Sequence, residues 1–205
     1  MKKCLCVVAV LIIVITMCFI TASYAKSIDL AYEVCENLDF EDLSKLSGFT
    51  GSFDVQNGVF RADGSALKVN NASYSFSENS LAGAFNLEFD MFVSDIQGQD
   101  TISLNSKNKS HLLEFKKENG KLALNCEADN FVCLEFGLWY KIRMSFDTAN
   151  GLSFTVMRNE RTVSEKSIST NTDFVFSDIS FTSDGSMYID NLVLSRPLIA
   201  KVHHL

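Results

Sequence analysis

Apolar and polar residues alternate with a period of two along most of this chain. In AFNLEFDMFV, Phe85, Leu87, Phe89 and Met91 fall on one side while Asn86, Glu88 and Asp90 fall on the other. In WYKIRMSFD, Tyr140, Ile142, Met144 and Phe146 oppose Trp139, Lys141, Arg143 and Ser145, and LSFTVMR places Leu152, Phe154 and Val156 together. Successive strand side chains point to opposite faces, so this pattern predicts antiparallel sheets that bury a single side. Asn57-Gly58, Asn119-Gly120 and Asn150-Gly151 each stand between such runs. Asn-Gly accepts the positive φ angles of a type I′ turn, so each predicts a hairpin, and Asp63-Gly64 and Asp184-Gly185 predict two further turns. Helix is confined to a turn or two near Asp39–Leu46 and Ser77–Gly83, and the only proline, Pro197, follows the last strand. About a dozen strands with tight turns and almost no helix predict an all-β fold, a two-sheet antiparallel sandwich.

The first residues break the alternation. MKKCLCVVAVLIIVITMCFITASYAKS runs from two lysines through an apolar stretch to the small-residue site Ser23-Tyr24-Ala25. That order is the signature of a secretory signal peptide, residues 1–25, cut after Ala25. An uncleaved anchor is the alternative, although the run falls short of the ~20 residues a membrane span needs. A lipoprotein site at Cys18 is disfavoured by the bulky Met17 before it. Export to the outside of the cell or to the cell envelope is therefore expected, with one domain at 26–197 and a short tail at 198–205.

Composition narrows the partners. The chain holds 18 basic and 25 acidic residues, and loss of Lys2 and Lys3 with the signal leaves 16 against 25, a net charge of −9. That balance disfavours nucleic acid, whose binding rests on cations displacing counterions from phosphates. Three of the six cysteines leave with the signal, and Cys35, Cys126 and Cys133 remain. Cys126 and Cys133 flank EADNFV, which leaves two readings open: a small disulfide loop, or three thiols behaving as small apolar side chains. No zinc-like spacing of Cys and His occurs, nor any GxSxG, HExxH, GxxxxGK[ST] or GxGxxG motif. His111, the one histidine outside the tail, is expected as a polar residue at a strand edge. Phe60, Phe76, Phe92 and Phe131 fit the inward phase least well and are candidates for an exposed patch. Asn71-Ala-Ser73 and Asn108-Lys-Ser110 match the N-glycosylation pattern.

ENLDFEDL near the start, GLWYKIRMSFD in the middle and GSMYIDNLVLS at the end, with hairpins between them, resemble secreted jelly-roll domains of the concanavalin A-like superfamily, which includes the laminin G-like modules, legume-type lectins and many glycanases. The resemblance covers roughly Cys35 to Arg196. It implies first and last strands lying side by side, with a structural calcium ion held by Glu41, Asp39 and Asp190, since calcium takes carboxylates mixed with other oxygens. It also implies a lectin-like, non-catalytic domain that binds extracellular glycan. Sugar sites combine an aromatic platform with polar groups, and Trp139, Lys141 and Arg143 on one strand face, beside Glu88 and Asp90 on another, are the candidates if their strands are neighbours. The first alternative is a polysaccharide-active hydrolase or lyase using a carboxylate pair such as Glu88 and Asp90. The glucanases of this fold carry ExDxxE on one strand, and here Val93 stands where the third acid belongs. The second alternative is an envelope adhesion module that binds protein.

Overall fold

The computed structural model describes residues 32–58, 64–76, 83–106, 109–127, 129–147, 150–168 and 175–197, all within the unit Tyr32–Leu205. The signal segment 1–25, the tail 198–205, Phe60, Asn108 and most of the turn expected at 77–83 lie outside these residues. Among the described residues the chain forms β1 (Tyr32–Leu38), a 3₁₀ turn (Leu43–Gly48), β2 (Phe49–Asn57), β3 (Ser65–Ser75) and β4 (Phe85–Val93). Then follow β5 (Asp100–Ser106), β6 (Ser110–Glu118), β7 (Lys121–Cys126) and β8 (Asp129–Leu134), and last β9 (Trp139–Asp147), β10 (Gly151–Arg158), β11 (Arg161–Ile168) and β12 (Phe176–Pro197). All pairings are antiparallel.

Two layers result because β12 serves both. Its second half pairs with β4, which continues through β9 and β10 to β11, giving the front layer. Its first half lies between β5 and β3, and β5 continues through β6 and β7 to β8 while β3 pairs with β2, giving the back layer. The inward phase of each strand fills the space between. Phe89 of β4 meets Phe181 of β12 edge-on at 5.8 Å, and Phe85 stacks on Phe176 at 5.0 Å, joining the layers by aromatic contact.

Asp184-Gly185 is not the turn its sequence suggests. The pair lies inside the 22-residue β12, where pairing with β3 slips between Thr182 and Met187. Asp100, fully buried, accepts hydrogen bonds from Ser183 Oγ (2.8 Å) and Asp184 N (3.0 Å), and burial raises its pKa. A Cβ on Gly185 would lie 2.3 Å from the Asp95 carbonyl oxygen. Held this tightly, the chain crosses from one layer to the other instead of reversing. Asn119-Gly120 does form the expected two-residue hairpin turn, with φ of 51° and 78° between the paired Glu118 and Lys121.

Cys126 and Cys133 are not joined in a disulfide. In the β7/β8 hairpin Cys126 lies opposite Asp129 while Cys133 lies opposite Ala123, three residues away. That offset is about 10 Å along the strand, beyond disulfide reach, so the proposed loop does not close. Cys126 faces the core, where burial pushes its thiol up to about 11, and Cys133 is exposed. His111 also departs from expectation. It occupies the inward phase of β6 with no exposed surface, and its Nδ1 lies 2.8 Å from Glu127 Oε1. The β7/β8 turn carries Glu127 at φ 52° to meet it.

Candidate functional site

The outward face of the front layer gathers the five residues singled out on β4 and β9. The two strands are neighbours, and their register sets Trp139 opposite Phe92, Lys141 opposite Asp90 and Arg143 opposite Glu88. Directly paired side chains on one sheet face lie about 5 Å apart at Cβ, so oppositely charged partners meet. Arg143 Nε donates to Glu88 Oε1 at 2.6 Å, and Lys141 Nζ stands 3.9 Å from Glu88 Oε2. Glu88 is thereby committed to an ion pair.

The register extends the site across further strands. On β10, Met157 stands opposite Lys141 and Thr155 opposite Arg143. On β12, Tyr188 stands opposite Phe92 and Asp190 opposite Asp90. One row is therefore aromatic, running Trp139, Phe92, Tyr188, with ring centroids 5.4 and 6.0 Å apart. Phe92 and Tyr188, 4% and 5% exposed, form a small apolar cluster with Ala66 apart from the main core, and the part-buried Trp139 packs against it. The adjacent row runs Met157, Lys141, Asp90, Asp190.

Asp190 and Asn191 explain their own presence in a core-facing strand. Asn191 adopts the left-handed conformation, φ 52°, and β12 slips register against β4 between Asp190 and Val193. This is a β-bulge, and Asn is among the residues that tolerate such a backbone. On its other edge β12 changes partner at the same point, from β3 (Ile189 opposite Leu67) to β1 (Leu192 opposite Leu38). First and last strands thus lie side by side, as the resemblance implied. The Asn191 amide donates to Asp90 Oδ2 (2.8 Å) and Asp190 Oδ2 (3.3 Å), and Asn191 N donates to Asp190 Oδ1 (2.7 Å). One amide therefore steadies two facing carboxylates.

Asp190 accepts hydrogen bonds from Asn191 and stands opposite Asp90 across the strand pair, while the other two residues expected to hold calcium have partners of their own. Glu41 accepts hydrogen bonds from the amide and hydroxyl of Ser65, and Asp39 accepts one from Glu41 N (3.3 Å) and faces Lys45 Nζ at 4.0 Å. Among the described residues no group of three or more His, Cys, Asp and Glu is arranged to hold a metal ion. Asp39, Glu41 and Asp190 are thus not gathered into one such group.

Asp90, Trp139, Lys141 and Met157 floor a pocket of about 190 Å³ whose wall is the β10/β11 turn, Arg158, Asn159 and Glu160. Asn159 and Glu160 both have positive φ, 50° and 62°, the type I′ geometry without its usual glycine. The volume is below the roughly 300–1,000 Å³ of sites that enclose drug-sized ligands. Sequence reasoning missed Asp190, Met157 and the turn as members, because register alone brings them here. Phe92 and Tyr188 did carry a signal: each is apolar in the polar phase of its strand.

No protein-family model matches the chain, and no curated protein matches it. Solved structures resemble it in fold. The globular domain of T. cruzi calreticulin aligns with 79% of this chain and 87% of its own at 10% identity, TM-score 0.56. A carbohydrate esterase of the Shiga toxin-encoding bacteriophage phi24B aligns with 82% and 100% at 11% identity, TM-score 0.57. A lectin from Bauhinia forficata, solved in complex with GalNAc, aligns with 80% and 98% at 11% identity, TM-score 0.52. The fold is a jelly-roll sandwich of the concanavalin A-like type.

Proposed function

We propose that this chain, a concanavalin A-like jelly roll, is an exported domain that binds extracellular carbohydrate without catalysing its breakdown. The observation that carries the reading is the junction of two rows on the front face, where the Trp139 ring borders the Asp90–Lys141 pair at the pocket of about 190 Å³. A pyranose has an apolar face suited to an aromatic ring and equatorial hydroxyls suited to a carboxylate acceptor and an ammonium donor. Asp90 is held in place by Asn191 before any ligand arrives, and Met157 supplies a further apolar surface. Preorganisation of this kind lowers the ordering cost of binding. The similar structures support the carbohydrate part of the reading alone, one being a lectin solved with GalNAc and another a carbohydrate esterase.

A hydrolytic reading draws on carboxylate pairs of the same face. Glu88 is tied to Arg143, and Asp90 with Asp190 is bridged by Asn191, so these three acids each accept from a protein donor. Binding is the better fit to that arrangement.

A glycan array probed with the mature chain tests the proposal. Binding to a defined set of sugars, weakened about tenfold or more by Trp139→Ala and by Asp90→Asn with folding intact, is the expected result. An empty array, or binding indifferent to both substitutions, refutes it. Release of reducing ends from β-glucans or uronic-acid polymers, abolished in Glu88→Gln, would establish an enzyme instead.

A further inference from the structure

The chain makes the same tight turn twice with different residues. Asn119-Gly120 joins β6 to β7 with φ of 51° and 78°, and Asn159-Glu160 joins β10 to β11 with φ of 50° and 62°. Each turn sets two residues between a paired flank, Glu118 with Lys121 in the first and Arg158 with Arg161 in the second. Asn suits the leading position of both, since its short polar side chain tolerates the left-handed region. At the second position glycine adopts a positive φ freely, whereas an L-residue brings its Cβ too close to the following carbonyl oxygen. Glycine stands there in the first turn, and a long, charged glutamate stands there in the second.

Local structure gives no reason for the glutamate. Among the described residues no hydrogen bond or ion pair involves the Glu160 carboxylate, although Arg158 and Arg161 flank it. Glu160 is exposed and begins the edge strand of the front layer, so packing does not require it either. What distinguishes the two turns is where they lie. Asn119-Gly120 closes a hairpin of the back layer, where a Cβ on Gly120 would meet nothing within 4 Å. Asn159-Glu160 walls the front-face pocket above Asp90, Trp139, Lys141 and Met157. Disfavoured backbone conformations gather at ligand sites, where the side chain so placed has work that the backbone does not explain. Glu160 is such an outlier, and it lines the pocket.

We propose that Glu160 is a specificity-determining residue of the Trp139 pocket, held on its strained turn to select neutral sugars over acidic ones. The inference rests on the carbohydrate-binding reading above and adds which sugars that site takes. Glu160 in the wall and Asp90 in the floor give the pocket two carboxylates, groups that only accept hydrogen bonds, and the hydroxyls of a neutral sugar can donate to both. The charges around the pocket make Glu160 decisive. Lys141 and Arg158 line it and Arg143 lies behind Lys141, while Asp90 lines it, Glu88 pairs with Arg143 and Lys141, and Asp190 stands opposite Asp90. Three cations thus meet three carboxylates, and Glu160 adds the one that makes the site negative. A uronate brings a further negative charge to that site, and a like charge at close range lowers affinity for the wrong ligand.

An array of neutral and uronic-acid oligosaccharides, probed with wild type, Glu160→Gly, Glu160→Gln and Gly120→Glu, tests this alongside thermal melts by circular dichroism. Wild type is expected to bind neutral sugars in preference to uronates. Glu160→Gly should raise Tm by about 2–4 °C by relieving the left-handed penalty, yet weaken neutral-sugar binding about tenfold. Glu160→Gln keeps the strained backbone and loses only the charge, so it should hold Tm within about 2 °C and narrow the preference for neutral sugars about tenfold. Gly120→Glu places the same strain far from the pocket, and should lower Tm by about 2–4 °C with the array pattern unchanged. The inference is overturned if wild type prefers uronates, if Glu160→Gly lowers Tm, or if both Glu160 variants keep the wild-type pattern. In that last case, binding that Trp139→Ala still weakens leaves the carbohydrate reading standing, whereas a wild-type protein that binds no glycan overturns that reading and this inference together.

Discussion

Asn191 offers a perturbation that separates backbone from side chain at the bulge joining β12 to its neighbours. Its amide makes two hydrogen bonds to carboxylates, and its backbone sits at φ 52°. Hydrogen bonds to charged groups contribute about 1.5–3 kcal/mol when buried, and a half-buried site falls at the lower end because water replaces part of the loss. Asn191→Gly removes the amide but suits the backbone, so a loss of about 2 kcal/mol is expected. Asn191→Ala removes the same amide and adds the left-handed penalty of an L-residue, about 1 kcal/mol more, for a total near 3. In a domain of this size each kcal/mol moves Tm by about 2–4 °C, so the expected order is wild type, then Gly about 4–8 °C lower, then Ala about 6–12 °C lower. Urea unfolding followed by tryptophan fluorescence, with thermal melts by circular dichroism, measures all three. Two results refute the reasoning. If Ala equals wild type within about 0.5 kcal/mol, the amide does not steady Asp90 and Asp190; if Ala is more stable than Gly, the backbone there is not left-handed.

Other features make their own predictions. Burial lowers the His111 pKa below the ordinary imidazole value of about 6.5 despite Glu127, with Lys109 also opposing protonation. The unfolded chain therefore takes up a proton first as pH falls, and stability present above about pH 6.5 is lost through the window below it; His111→Gln should flatten the Tm profile between pH 7 and 5, and an unchanged slope counts against this account. Cys133 should react with Ellman's reagent in the native protein while Cys126 reacts only on unfolding, and equal Tm with and without reductant is expected; a reductant-dependent drop indicates a disulfide. Gly51→Ala should fail to reach the native fold or lose about 3 kcal/mol or more, because φ is 100° and the new Cβ would meet the Asn71 carbonyl oxygen at 2.1 Å. EDTA should leave Tm unchanged, given the arrangement of Asp39, Glu41 and Asp190; a fall restored by calcium overturns that reading.

Periodicity made the architecture legible. A side chain two residues along a strand returns to the same face, so Phe85 to Met91 and Tyr140 to Phe146 declare inward faces without any knowledge of their neighbours. Asn119-Gly120 likewise declares its turn, because few residues accept two positive φ angles in succession. Where local chemistry allows two outcomes, the sequence was ambiguous. Asp184-Gly185 suits a turn but here permits a strand to cross between layers, since buried Asp100 holds its backbone. His111 looks polar but is carried inward by the phase of β6 and met there by Glu127.

The candidate site divides in the same way. The residue types at Trp139, Lys141, Arg143, Glu88 and Asp90, and the outward phase they share, follow from the chain alone. That β4 lies beside β9, that Asp190 faces Asp90, and that Glu160 lines the same pocket as Asp90 follow from strand pairing between segments as far apart as Asp90 and Asp190. Alternation within a strand is set by bonded geometry and can be read locally. The order and register of strands are set by which faces bury together, a property of the whole chain that no single segment contains.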